Sequence, residues 1–156
     1  NKVSEGRLSS ESKLEIRGML REVTEIESIG DSCYNLARTI NRKRSGGNDF
    51  TEKQYEHIHQ MMQLTNDALA HMIAVVEDDH HVVDVNKSFN IENEINNYRA
   101  QLKNQNVVDV NNKEYDYQMG VHYMDIIGEC EKLGDYVVNV VEARTNVKEK
   151  KTGDNR

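Results

Sequence analysis

An all-α fold, an antiparallel bundle of about four long helices, is predicted by three features of the sequence. The chain of 156 residues contains no proline and has 30% charged but only 6% aromatic residues. A sandwich or barrel would need more turn-forming residues and more β-branched and aromatic pairs. Apolar residues recur every three or four positions over four long segments, as in helices that bury one face. We therefore expect one domain, with a flexible N-terminal segment at 1–12, the bundle at 13–148 and a polar tail at 149–156.

Composition also limits the possible partners and compartment. Binding to nucleic acid or to an anionic membrane surface needs a basic patch on the protein. The net charge of −7 therefore argues against both kinds of partner. No run of 18 apolar residues, the length that a membrane-spanning helix needs, is present. Cys33 and Cys130 are too few for a disulfide framework and lie on apolar stripes, which predicts two buried free thiols. The chain begins at Asn1 instead of methionine, so we expect it to be a piece of a longer protein.

The first predicted helix runs from about Lys13 to Arg44 and ends at the glycine pair of SGGND (45–49). Its apolar residues follow one another in steps of three and four, which predicts one buried face. That face consists of Ile16, Met19, Val23, Ile26, Gly30, Cys33, Ala37 and Ile40.

The second predicted helix begins with a capping box, in which Thr51 is the N-cap and Gln54 the third helical residue. Phe50 and Tyr55 stand at the positions of a hydrophobic staple. The helix ends in EDDHH (77–81), whose histidines suit the negative end of a helix dipole. Its predicted apolar face consists of Tyr55, Ile58, Met62, Leu69, Met72, Ile73 and Val76.

The third and fourth helices are predicted around Asp84 to Asn106 and from about Lys113 to Lys148. Short connections between four amphipathic helices imply an up-down-up-down bundle, in which the first and fourth helices are neighbours. The apolar side of the third helix consists of Phe89, Ile91, Ile95, Tyr98 and Leu102, and that of the fourth includes Tyr123, Ile127, Cys130, Gly134, Val137 and Val141.

One short motif occurs twice, 104 positions apart, in EIESIGDSCYNL (25–36) and CEKLGDYVVNVV (130–141). The first copy has Glu27, Gly30, Asp31 and Asn35, and the second has Glu131, Gly134, Asp135 and Asn139 at the same spacing. A glycine inside a helix costs about 1 kcal/mol relative to alanine. We therefore expect Gly30 and Gly134 to allow a close approach between the first and fourth helices.

The acidic residues of the two copies are candidate metal ligands. Carboxylates four positions apart share a helix face and repel each other when both are ionised. Oxygen ligands suit Mg²⁺, Mn²⁺, Ca²⁺ or iron better than a structural zinc. The sequence thus predicts a divalent or ferric cation bound by Glu27, Asp31, Glu131 and Asp135. The alternative is an acidic surface neutralised by basic neighbours, for which Arg38 and Lys132 are within reach.

The segment LGDYVVNVVEA (133–143), preceded by Glu131, resembles the repeat of PhoU-like domains. The segments ENEINNYRAQL (92–102) and MGVHYMDIIGECEKLGD (119–135) resemble the cytoplasmic C-terminal domain of bacterial sodium/phosphate cotransporters in particular. The resemblance covers residues 13 to about 147. Complete PhoU-like proteins have two three-helix repeats, so this chain would hold the last helix of one repeat and the whole of the next. The family's basic residue after the glutamate is Ser28 in the first copy and Lys132 in the second.

The resemblance implies a non-enzymatic regulatory domain, on the cytoplasmic side of the bacterial inner membrane, that contributes to phosphate transport and phosphate homeostasis. It implies iron, zinc or manganese at the acidic residues and attachment to the membrane transporter portion of the same parent chain. If half of the family's bundle is missing here, the exposed acidic residues would be covered by a second copy or by the missing segment, and we expect a homodimer. A free-standing PhoU-like regulator and a metal-free structural or dimerising bundle remain alternatives. A ferritin-like di-iron enzyme is disfavoured because Glu56–His59 and Glu77–His80, the two Glu-x-x-His pairs it would use, lie on one helix.

Overall fold

A computed structural model describes residues 9–45 and 49–153 and shows the predicted all-α fold. Its four helices are α1 (Ser10–Ser45), α2 (Glu52–Glu77), α3 (Asn86–Asn111) and α4 (Tyr117–Gly153). Within these described residues, no helix combines the length and apolar character that a bilayer crossing requires. The glycine pair that was expected to end the first helix lies outside the described residues, as does most of the segment at 1–12.

Helix α4 is the centre of the molecule, because each of the other three helices packs against it. Helices α2 and α3 also pack against each other, so α2, α3 and α4 form a three-helix bundle. Helix α1 lies along α4 as predicted, and over the described residues its backbone does not come close to α2 or α3. The arrangement is therefore a three-helix bundle with one helix added alongside, and not the closed ring of four that short connections suggested.

The pairing of α1 with α4 is antiparallel and is marked by polar contacts along its length. The Ser32 hydroxyl donates to Glu129 Oε2 at 2.9 Å, and Asn139 Nδ2 donates to Glu25 Oε2 at 3.2 Å. Further along, Arg21 Nη2 lies 3.2 Å from Glu142 Oε2. The residue numbers rise on one helix as they fall on the other, which fixes the antiparallel direction.

The apolar face predicted for the fourth helix is confirmed. It lies in the core, where Ile127, Cys130, Val137 and Val141 have no exposed surface and Tyr123 has 2%. This face is covered because α2 and α3 both pack onto the side of α4 that presents it.

The buried face predicted for the first helix is wrong. Met19 is 52% exposed, Val23 56% and Ile26 45%, while Gly30 and Cys33 are also exposed. The side that faces α4 instead carries Ile29 and Ser32, which are buried, and Leu36, which is half-buried. The helix has two apolar sides, and among the described residues it packs against α4 alone. The side that α4 covers is the one with fewer large apolar residues.

The two cysteines differ in burial, as the predicted faces of α4 and α1 do. Cys130 is buried as predicted, and burial raises the pKa of its thiol to about 11. Cys33 is an exposed free thiol, so the expectation that it is buried is wrong. The difference follows from the face of α1 on which Cys33 lies.

The predicted start of α2 is confirmed in detail. The Thr51 hydroxyl accepts from the Gln54 backbone N–H at 3.2 Å, and Gln54 Oε1 accepts from the Thr51 N–H at 3.0 Å. Phe50 and Tyr55 form the staple, with ring centroids 5.6 Å apart. The capping box satisfies backbone donors of the first turn, and the staple fixes the direction in which the chain enters the helix.

The buried face of α2 is rotated from the predicted one. Ile58 and Met72 are buried as predicted, but Tyr55 and Ile73 are about half exposed. The core contains in addition Met61, Ala68 and Val75, which were not predicted. The rotation buries His71, whose Nδ1 lies 2.7 Å from the hydroxyl of the buried Ser88 on α3. This polar pair inside the α2–α3 contact was not predicted, because the buried face was predicted from the spacing of apolar residues alone.

Candidate functional site: the two copies of the acidic motif

The second copy of the motif lies at the contact between α4 and α3. Gly134 is buried, and a Cβ added to it would lie 3.2 Å from Ile95 Cδ1 of α3. Gly30 in the first copy has no atom within 4 Å of such a Cβ. The predicted contact between α1 and α4 at these two glycines is therefore wrong: Gly134 allows α3 to approach, and Gly30 faces open space.

The carboxylates of the second copy meet further polar groups from α3. Glu131 forms an ion pair with Arg99, and Asp135 lies beside Glu92. Glu92 also accepts from Asn96 Nδ2 at 2.6 Å. This cluster was not predicted, because its members lie on two helices and their spacing along the chain is not periodic.

Asp135 is the residue whose protonation this cluster changes. The Asp135 side chain is exposed, but protein atoms around its carboxyl displace water and raise its pKa above the ordinary value of 3.8. The negative charges of Glu131 and Glu92 raise the pKa further. A hydrogen bond with Glu92 acts in the same direction, and the positive charge of Arg99 opposes it. The cluster thus contains more negative charge than its arginine neutralises.

The first copy is arranged differently, since Glu27, Asp31 and Asn35 are all exposed on α1. Among the described residues, neither Glu27 nor Asp31 takes part in an ion pair. The basic neighbours expected to neutralise the two motifs do not do so. Arg38 lies over the Tyr34 ring, 5.7 Å from its centroid, and Lys132 Nζ lies 3.3 Å from Glu129 Oε1.

The four predicted metal ligands therefore occupy two separate places. Glu131 and Asp135 face α3, whereas Glu27 and Asp31 point away from the bundle. In the part of the chain that the structure describes, no three histidine, cysteine, aspartate or glutamate side chains are close enough to hold a metal ion together. A single chain thus does not join the four carboxylates into one site, and metal binding by them stays a prediction.

A cleft of about 380 Å³ lies between α1 and α4, next to the second copy. It brings together four basic side chains from three helices, together with Asp125 and Glu129. The basic side chains are those of Arg38, Arg42, Arg99 and Lys132. Sequence spacing did not reveal this cleft, because Arg99 reaches it from α3. Two of the four cations are already paired with carboxylates, so the cleft is a mixed polar surface.

A second cleft, of about 220 Å³, lies where α2, α3 and α4 meet. His57 Nδ1 lies 3.0 Å from the Tyr123 hydroxyl, and burial lowers the pKa of His57. Burial also raises the pKa of Tyr115 to about 12, so that its phenol stays protonated and can donate a hydrogen bond. These aromatic groups therefore lie beside charged side chains in the cleft, which is also lined by Lys53, Asp109 and Glu114.

A family model described as PhoU domain matches residues 58–143. The match includes most of α2, all of α3 and the second copy of the motif on α4, and it excludes α1 with the first copy. The matched segment therefore coincides with the three-helix bundle. No curated protein and no solved structure matches the chain.

Proposed function

Because the chain belongs to the PhoU family, we propose that it is a non-enzymatic regulatory domain that acts on phosphate transport. The observation that carries the proposal is the family match over more than half of the chain, which coincides with one complete three-helix unit. The resemblance of 92–102 and 119–135 to sodium/phosphate cotransporters supports a more specific role. In that role the domain lies on the cytoplasmic side of the bacterial inner membrane, joined to the transporter portion of the same chain.

A regulatory role also agrees with the state of two side chains that could act as nucleophiles. The Cys130 thiol is buried and protonated at neutral pH, and Tyr115 is held as a neutral phenol. Neither group has the lowered pKa that an activated nucleophile needs. The exposed features include helix faces and charged side chains, which suit contacts with another protein surface.

The transport role can be tested in the full parent protein. Deleting residues 13–148 should change the rate of phosphate uptake, or its dependence on external phosphate, while the protein still reaches the membrane. Gly134→Leu, which disrupts the α3–α4 contact, should reproduce the effect, and Gly128→Leu on the same helix should not. Unchanged uptake in both the deletion and Gly134→Leu would contradict the proposal. A parent chain without membrane segments would favour a free-standing regulator.

We also keep the proposal that the acidic motifs bind a divalent or ferric cation, with iron, zinc and manganese as the ions to test. Its support is the excess negative charge around Asp135 and the carboxylates of Glu27 and Asp31, which form no ion pair within residues 9–45 and 49–153. The two pairs are separate, so each is expected to bind independently. A metal-free bundle that acts only through its surfaces is the alternative.

The metal proposal predicts a rise in melting temperature when Mn²⁺, Fe²⁺ or Zn²⁺ is added to chelator-treated protein. A ligand present at 100 times its dissociation constant adds about 2.7 kcal/mol to the free energy of unfolding. Glu131→Gln/Asp135→Asn and Glu27→Gln/Asp31→Asn should each remove part of the response. If both double variants respond as the unaltered chain does, the metal binds elsewhere, and His80 and His81 become the first residues to test.

A further inference from the structure

The cleft where α2, α3 and α4 meet has the size and lining of a site for a small molecule. Its volume of about 220 Å³ is below the roughly 300–1,000 Å³ of pockets that hold drug-sized ligands, so it suits a single planar ring system. Its apolar lining includes Leu102 and Tyr123, which are both buried. Small-molecule sites combine such a lining with a few polar groups that orient the ligand.

Gln54 supplies this cleft with a buried hydrogen-bond donor that has no acceptor. The side chain is 3% exposed, and its Nε2 forms no hydrogen bond with any group in the described residues. The capping box fixes the orientation of the amide, because Gln54 Oε1 accepts from the Thr51 N–H. The donor end therefore cannot exchange places with the acceptor end. A buried donor without an acceptor lowers stability, so a ligand that supplies an acceptor removes this cost.

Tyr115 lies beside the Gln54 amide and does not belong to a helix. Burial raises the pKa of Tyr115 to about 12, and the nearby amide of Gln54 acts in the opposite direction. Tyr115 stands between the end of α3 and the start of α4, so its ring can shift without breaking a helix. Because Gln54 Nε2 is closed to solvent, a ligand reaches it when this ring moves, and the ring then offers a flat surface for stacking.

Two carboxylates line the same cleft and provide acceptors. Asp109 is half-buried and Glu114 is exposed, and neither forms an ion pair within residues 9–45 and 49–153. Asp109 Oδ1 accepts from Gln105 Nε2 at 2.8 Å. A carboxylate has about four acceptor sites, so Asp109 can also accept from a ligand. The cleft thus offers a donor from α2 and an acceptor from α3.

We propose that this cleft binds an amino-substituted nucleobase, as adenine and cytosine nucleosides or nucleotides carry. In these bases a ring nitrogen that accepts a hydrogen bond stands next to an amino group that donates one. Gln54 Nε2 donates to the ring nitrogen, Asp109 accepts from the amino group, and the Tyr115 ring stacks on the base. The ligand satisfies the buried donor and uses the free acceptor sites at the same time. This site lies on the three-helix bundle and does not depend on the role in phosphate transport.

Charge and hydrogen bonding favour this ligand over other small molecules. Of the charged residues that line the cleft, Asp109 and Glu114 outnumber Lys53, which disfavours a free anion such as phosphate. A simple amine would pair with the carboxylates but would leave the Gln54 donor without an acceptor. Lys53 is exposed in the first turn of α2, where it can contact the phosphate group of a bound nucleotide.

The first experiment titrates the whole chain with nucleosides and measures the heat of binding. Adenosine and cytidine should each bind at one site per chain. Inosine and uridine should bind more weakly by about tenfold or more, because each has a carbonyl where the amino group stands, facing the Asp109 carboxylate. Asp109→Asn should reduce this preference, since its amide can donate to a carbonyl. Ribose, which has no base, should not bind.

Adenosine monophosphate distinguishes a nucleotide from a nucleoside as the ligand. If the chain takes a nucleotide, the monophosphate should bind more tightly than adenosine, and Lys53→Gln should remove the difference. Equal binding of the two identifies a nucleoside. Both results support a site for the base, because the base is common to the two molecules.

The second experiment uses Gln54→Glu. Glutamate still serves the capping box through one carboxylate oxygen, but it replaces the Nε2 donor by an acceptor. Adenosine binding should weaken by about tenfold or more. Nuclear magnetic resonance adds a direct readout, because the side-chain NH₂ signal that is missing in Gln54→Glu should shift when adenosine is added to the unaltered chain. Gln63→Glu, the same substitution at an exposed position of α2, should leave binding unchanged.

Three results would overturn the proposal. The first is that neither adenosine nor cytidine binds. The second is that inosine or ribose binds as tightly as adenosine, which would indicate a different ligand. The third is that Gln54→Glu and Asp109→Asn both leave adenosine binding unchanged, which would place the nucleoside elsewhere on the chain. Circular dichroism checks that each variant folds, and if Gln54→Glu does not, Asp109→Asn decides.

Discussion

Replacing Gly134 by leucine should lower the free energy of unfolding by about 1–3 kcal/mol, the usual cost of overpacking a close contact. Even a Cβ at this position would lie 3.2 Å from Ile95 Cδ1, and the further atoms of leucine would have to displace Ile95, which is fully buried. Leucine is the better helix former by somewhat less than 1 kcal/mol, so the packing term decides the sign. Chemical denaturation of the two proteins measures the difference.

Gly128 provides the control, because it lies on the same helix and a Cβ added there has no atom within 4 Å. Gly128→Ala and Gly128→Leu should therefore raise stability by about 0.5–1 kcal/mol through helix propensity alone. If Gly134→Leu stabilises the chain as much as Gly128→Leu does, the α3–α4 contact is not close-packed at this glycine. These measurements are made in the presence of a chelator, so that metal binding does not contribute to the free energy of unfolding.

Asp135→Asn should make the chain more stable at neutral pH and leave it unchanged in acid. The pKa of Asp135 is raised in the folded state, so the folded chain holds this proton more tightly than the unfolded chain. Stability is therefore lost as the pH rises from the ordinary value of 3.8 through the raised pKa, and it is regained as the pH falls. Asparagine removes the charge, and its amide can donate to Glu92 as the protonated acid does.

The matched control is Asp31→Asn, the same substitution in the first copy of the motif. Asp31 is exposed and has no ion-pair partner among the described residues, so its replacement should change stability by less than about 0.5 kcal/mol. Unfolding free energies at several pH values between 4 and 8 compare the two variants. A gain from Asp135→Asn that does not shrink towards low pH would show that the charge on Asp135 is not its cause.

The sequence predicted α4 better than α1 for a physical reason. Periodic spacing shows that a helix has an apolar face, and α4 has neighbours on every apolar side. Helix α1 has two such sides, and spacing does not state which one a partner covers. Ile29 and Leu36 on the covered side are fewer than the apolar residues on the exposed side of α1, so counting apolar residues selected the wrong side.

The candidate site was predictable in part. The spacing of Glu131 and Asp135 placed both carboxylates on one face of a helix, and the structure shows them influencing each other. The partners Glu92 and Arg99 were not predictable, because they come from a helix whose rotation depends on packing against Gly134. The distance of Glu27 and Asp31 from Glu131 and Asp135 depends on how the helices are arranged around α4. Local spacing in the sequence carries no information on that arrangement.

Helix α4 is the last of the four helices in the sequence, and this affects how the chain folds. Helices α2 and α3 are close in sequence and can pair early, but the core is incomplete until α4 arrives. The contacts of α1 are the most distant in sequence, joining Ser32 to Glu129 and Arg21 to Glu142. Long-range contacts of this kind slow folding, because a long loop must close before they form. Of the four described helices, α1 is made first, and the partner α4 with which it packs is made last.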